Sequence, residues 1–64
     1  MIDNLIFENL SSKFNRELAK GNLEEAGKVI ERLEKLGKEH TNDSLGTMIY
    51  FTVRGMRIIL EGRK

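Results

Sequence analysis

No proline interrupts this chain, and its apolar residues recur at helical spacing, so no backbone break is imposed and every long segment is free to form α-helix. Abundant Leu, Glu, Lys and Arg, all good helix formers, push the same way. The expected class is all-α: an antiparallel helical hairpin plus a third, strongly apolar helix, forming a small three-helix unit in one domain over residues 1–64. A chain of 64 residues buries only about 60% of the surface that it exposes when unfolded, so its core is expected to be marginal. With no cysteine and a single histidine, His40, neither disulfides nor a structural zinc site can enlarge that core. Self-association is the expected supplement, and a homodimer is its simplest form.

Three helices are expected over residues 3–20, 23–38 and 43–62. In the first, Ile6, Leu10, Phe14 and Leu18 recur every four residues with Phe7 beside them, forming one drifting stripe that faces a core. Ser11 and Ser12 are weak helix formers in its middle, and they are expected on the solvated side. Gly21-Asn22 then punctuates the chain, since glycine suits the left-handed position past a helix end and asparagine is a good N-cap. Glu25, three residues after Asn22, completes the pattern of a capping box. The second helix gathers Leu23, Ala26, Val29, Ile30, Leu33 and Leu36 on one face. Its other face pairs Glu24 with Lys28, Glu31 with Lys35 and Glu34 with Lys38, each worth about 0.2–0.5 kcal/mol. Residues 39–44 hold four capping residues and no apolar one, which reads as a loop in which any of the four can cap the next helix.

The third helix is different. Leu45, Met48, Ile49, Phe51, Val53, Met56, Ile58, Ile59 and Leu60 cover an arc of roughly 220°, and Tyr50, Arg54, Arg57 and Glu61 share the narrow remaining sector. Such a helix needs burial on two sides. The face of Leu45, Ile49, Val53, Met56 and Leu60 serves the core, which leaves the ridge of Met48, Phe51, Gly55, Ile58 and Gly62 as a self-association seam. Glycine in mid-helix costs about 1 kcal/mol relative to alanine, so Gly55 implies close approach of another group. That group is either a second chain or, within one chain, Phe7 or Phe14.

A search for chemistry returns little. His40 reads as a solvated terminal residue, no acid pair is left unexplained, and the six glycines form no phosphate-cradling loop. The expectation is no catalytic residue, no cofactor, no metal and no enzyme activity. A net charge of +1 argues against general nucleic-acid binding. Residues 44–64 nevertheless hold one acid, Glu61, against Arg54, Arg57, Arg63 and Lys64, a locally basic stripe. The opening Met1-Ile2-Asp3 lacks the basic and apolar regions of a signal peptide, and residues 45–60 are too short and too charged to span a bilayer, so a cytoplasmic location is expected.

The run Gly21-Asn22-Leu23-Glu24-Glu25-Ala26, followed by Ile30 and Leu33, resembles the start of the second helix of a tetratricopeptide-type hairpin, and Gly55 and Gly62 are similar to a first helix of the next unit. The resemblance covers less than half of the chain and serves as an analogy. It implies recognition of a peptide or protein in a concave groove. From the residues themselves, the expected function is a small non-enzymatic regulatory or adaptor protein that binds a protein partner and inhibits or modulates it through a rigid helical surface. Tyr50, Arg54, Arg57 and Glu61 are the expected partner-binding residues, with the arginines meeting an acidic protein surface. The alternative is a small dimeric nucleic-acid-binding regulator that uses Arg54, Arg57, Arg63 and Lys64.

Overall fold

In the computed structural model, which describes residues 2–63, the chain forms α1 (Ile2–Ala19), α2 (Leu23–Lys38) and α3 (Ser44–Arg63), with no strand among the described residues. Each boundary lies within one residue of its expected place. α2 is central: it packs against α1 on one flank and α3 on the other, while α1 and α3 scarcely touch. The core is built from Phe14 and Leu18 of α1, Ala26, Val29, Ile30, Leu33 and Leu36 of α2, and Ile49, Val53, Met56 and Leu60 of α3. Phe7, Leu10, Leu23 and Leu45 close over it, half-buried. Because a central helix must serve two neighbours, α2 contributes five buried apolar residues and α1 only two.

Both connections are made by local hydrogen bonds. Gly21 takes a φ of +78°, with its N–H donating to the Leu18 carbonyl at 3.0 Å and the Asn22 N–H donating to the Glu17 carbonyl at 2.8 Å. This is a Schellman motif, which satisfies two carbonyls that the end of α1 would otherwise leave unpaired. The Leu23 N–H then donates to the Gly21 carbonyl at 3.1 Å across Asn22, whose φ of −87° and ψ of 76° form an inverse γ-turn. In that turn the Asn22 side chain makes no cap bond to α2. Its amide reaches back and donates to Glu17 Oε1 at 3.0 Å, and Lys20 Nζ lies 3.6 Å from the other carboxylate oxygen, so the buried Glu17 is satisfied from both sides. The expected capping box is therefore absent. Glu25 instead meets Lys28 Nζ at 3.4 Å.

The second connection closes α2 with i to i−3 bonds, from the Glu39 N–H to the Leu36 carbonyl and from the His40 N–H to the Gly37 carbonyl, both at 3.1 Å. Asp43 is the cap of α3: its Oδ1 accepts the Gly46 N–H at 2.9 Å, three residues on, and its carbonyl accepts the Thr47 N–H at 3.3 Å. The connection lies so close to α3 that a Cβ on Gly46 would stand 1.7 Å from the His40 carbonyl oxygen. A Cβ on Gly37 would stand 3.0 Å from Ile49 Cγ2, so glycine there lets α2 and α3 close together beside the loop.

Two sequence expectations for α1 need correction. Ile6 is exposed, because a spacing of four drifts about 40° per step around a helix of 3.6 residues per turn, and by the first turns the stripe has rotated off the core. Phe7 takes its place. Ser11 is on the inner flank, half-buried, and its hydroxyl is shielded from solvent with no hydrogen-bond partner. No helix among the described residues is long and apolar enough to cross a membrane.

Candidate functional site

Between α2 and α3, above their shared core, lies an open groove of about 770 Å³. Gly37, Ile49 and Val53 form its floor; Glu34, Lys38 and Thr41 line one side, and Gly46, Thr47, Tyr50, Phe51, Arg54 and Arg57 the other. Helical geometry explains this company. Tyr50, Arg54 and Arg57 are four and three residues apart, so they share one flank of α3, next to the buried face of Ile49 and Val53. Tyr50 is 61% exposed, and its ring meets that of Phe51 edge to face, with centroids 5.4 Å apart and planes at 74°. The pair forms an aromatic crest on a rigid helix.

Three of the four expected partner-binding residues, Tyr50, Arg54 and Arg57, thus line one groove. Glu61 lines a second cleft of about 450 Å³ farther along the same helix pair, with Leu23, Lys28 and Glu31, and Arg57 stands between the two clefts. The Arg57 guanidinium is ion-paired with the Glu34 carboxylate across the helix boundary, so Glu34 turns toward α3 instead of toward Lys38. Arg63 lies nine residues beyond Arg54, about two and a half turns, and so points away from the groove. Lys64 lies outside the described residues.

The expected seam residues are on the surface. Met48, Phe51 and Ile58 are 54%, 61% and 68% exposed, and the positions where a Cβ of Gly55 or Gly62 would stand have nothing within 4 Å. Phe14 is in the core, so no aromatic of α1 covers Gly55 within the chain. Phe51 belongs to both surfaces, because it sits between the groove and the ridge.

His40 is the residue whose role differs most from its sequence reading. Its side chain is only 21% exposed, with Nδ1 at 2.7 Å from Asp43 Oδ2 and Nε2 at 2.6 Å from Asp3 Oδ2. These hydrogen bonds, from Asp43 first and Asp3 second, hold the His40 pKa above its ordinary 6.5 against a smaller opposing effect of burial. The Gly46 N–H, followed by the His40 ring, holds the Asp43 carboxyl below its ordinary 3.8. The His40 and Asp43 spacing of three was visible in the sequence, but Asp3 is 37 residues away and only folding brings it in. No group of His, Asp or Glu side chains among the described residues is arranged to hold a metal ion.

Comparison with known proteins returns no matching family model, curated protein or solved structure. The likeness to a tetratricopeptide-type hairpin accordingly gains no support from a family model.

Proposed function

We propose that this chain is a small, non-enzymatic regulatory or adaptor protein of the cytoplasm that binds an acidic surface of a protein partner in the groove between α2 and α3 and thereby inhibits or modulates that partner. The observation that carries the reading is the convergence of Tyr50, Phe51, Arg54 and Lys38 on one open groove whose floor is apolar. Exposed aromatics and arginine on rigid elements are the residue types that dominate protein-binding hot spots. Arg54 supplies a fork for bidentate contact with carboxylates, and Arg57, already held by Glu34, orients the same wall. Glu61 extends the surface toward the second cleft.

In this reading α1 and α2 form an antiparallel hairpin, which the meeting of Asp3 near the start of α1 with His40 just past the end of α2 supports. The working form is a homodimer through Met48, Phe51, Gly55, Ile58 and Gly62, a ridge that carries no charge and stands open in the single chain. Nucleic acid as the partner has less in its favour, since Arg57 is matched by Glu34 and Arg63 faces away from Arg54. Affinity capture from the native host with wild type, Tyr50→Ala and Arg54→Ala tests the proposal. A protein retained by the wild type and lost with both variants is the expected result, and equal retention by all three would move the binding surface elsewhere.

A further inference from the structure

We propose that His40 is a proton-operated clasp that ties the first turns of α1 to the start of α3. The inference stands apart from the function proposed above and rests on donor and acceptor arithmetic. Both ring nitrogens face carboxylate oxygens, at 2.6 and 2.7 Å, and a carboxylate only accepts hydrogen bonds. Only the imidazolium, with a proton on each nitrogen, donates to both. Once one proton leaves for water, a ring lone pair is set against a carboxylate at the same short distance, and one contact must open.

The two arms are not equal. Asp43 is fixed beside the ring by its cap bond to the Gly46 N–H, within a tight i to i+3 loop that exists whatever the ring does. Asp3 has no such tether, belongs to the first turn of α1 and is 40% exposed, so its carboxylate is the one that turns to water. Little else holds that turn, for Ile2 and Leu5 are 76% and 58% exposed, and the first residue of α1 in contact with the core is Phe7. The groups that face the ring are Asp3 from α1 and Asp43 from the connection into α3. On the α2 side the backbone N–H of His40 donates to the Gly37 carbonyl, which places the residue just past the C-terminal end of that helix. Asp3 and Asp43 thus both favour the charged ring, and α1 is the element that the neutral ring releases.

Nuclear magnetic resonance on the full chain tests the clasp by following the His40 ring and amide hydrogen exchange together from pH 5 to pH 9. The ring is expected to titrate above 6.5, and the protection factors of residues 6–9 to fall severalfold through the same midpoint while those of Leu33 and Val53 stay level. In Asp3→Asn, a surface change that leaves the core untouched, the midpoint is expected to drop and the step in α1 protection to vanish. Flat protection of α1 across the titration, or a step that persists in Asp3→Asn, would overturn the proposal.

Discussion

Ser11 shows how a single atom can work against the fold that contains it. Its hydroxyl is shielded on the inner flank of α1 without a hydrogen-bond partner, and serine is also a poorer helix former than alanine. Ser11→Ala is expected to stabilise the protein by about 1 kcal/mol, read as a higher denaturant midpoint with an unchanged slope. Asn22 works in the opposite direction. Its side chain serves the buried Glu17 rather than the start of α2, so Asn22→Ala is expected to cost about 1–2 kcal/mol, through the loss of a bond to a charged, buried group. Glu17→Ala combined with Asn22→Ala identifies the cause, because a side-chain cap on α2 would leave the two changes additive and the observed pairing makes them coupled. Gly46 is tied to its place by the His40 carbonyl. Alanine there has to displace backbone, and a loss of about 1–3 kcal/mol is expected where a helix interior would ordinarily gain from the change.

At the scale of elements, α2 is an ordinary amphipathic helix and α3 is not. A single apolar face serves α2, with α1 along one edge of it and α3 along the other, whereas α3 turns Ile49, Val53, Met56 and Leu60 inward and still shows Met48, Phe51 and Ile58 to solvent. Gly55 makes the consequence measurable. Alanine meets nothing within 4 Å there, so Gly55→Ala is expected to stabilise the isolated chain by about 0.5–1 kcal/mol through helix propensity alone. If the ridge is a seam between two copies, the same methyl group falls between them. Sedimentation equilibrium is then expected to give about twice the chain mass for the wild type and a weaker association for Gly55→Ala, together with a stability of the wild type that rises with protein concentration. A wild type that remains monomeric at high concentration would remove the seam.

On the scale of the whole molecule, the loop between α2 and α3 and the start of α1 are joined at one titratable point, which makes stability depend on pH with a determined sign. The His40 pKa is raised on folding, so its contribution is complete below 6.5 and is lost as pH rises through the folded value. The Asp43 pKa is lowered, so its contribution is complete above 3.8 and is lost as pH falls through the folded value. Their joint plateau lies between pH 3.8 and 6.5. Thermal melting across pH is expected to show the difference between wild type and His40→Gln shrinking on the alkaline side. A constant difference from pH 5 to 9 would mean that the ring does not titrate with folding.

The helices, their bounds and the inward faces of α2 and α3 were legible in the residues, because local signals carry them: the apolar period, the left-handed glycine at 21 and the run of capping residues before α3, whereas on α1 the drifting stripe misplaced Ile6 and Ser11. The flank shared by Tyr50, Arg54 and Arg57 was legible for the same reason, since helical spacing alone places them together. What the sequence could not decide is which of several partners a side chain takes. Asn22 could accept a backbone N–H at the start of α2 or donate its amide to Glu17, and it donates to Glu17. Glu34 had Lys38 four residues away, yet the approach of α3 offered Arg57. His40 looked solvated until α1 folded back to bring Asp3 across 37 residues. Periodicity and capping act within a few residues and are written in order along the chain, whereas a side chain with several partners in reach is settled by which group the folded chain sets beside it, and for Glu34 and His40 only the tertiary packing determines that.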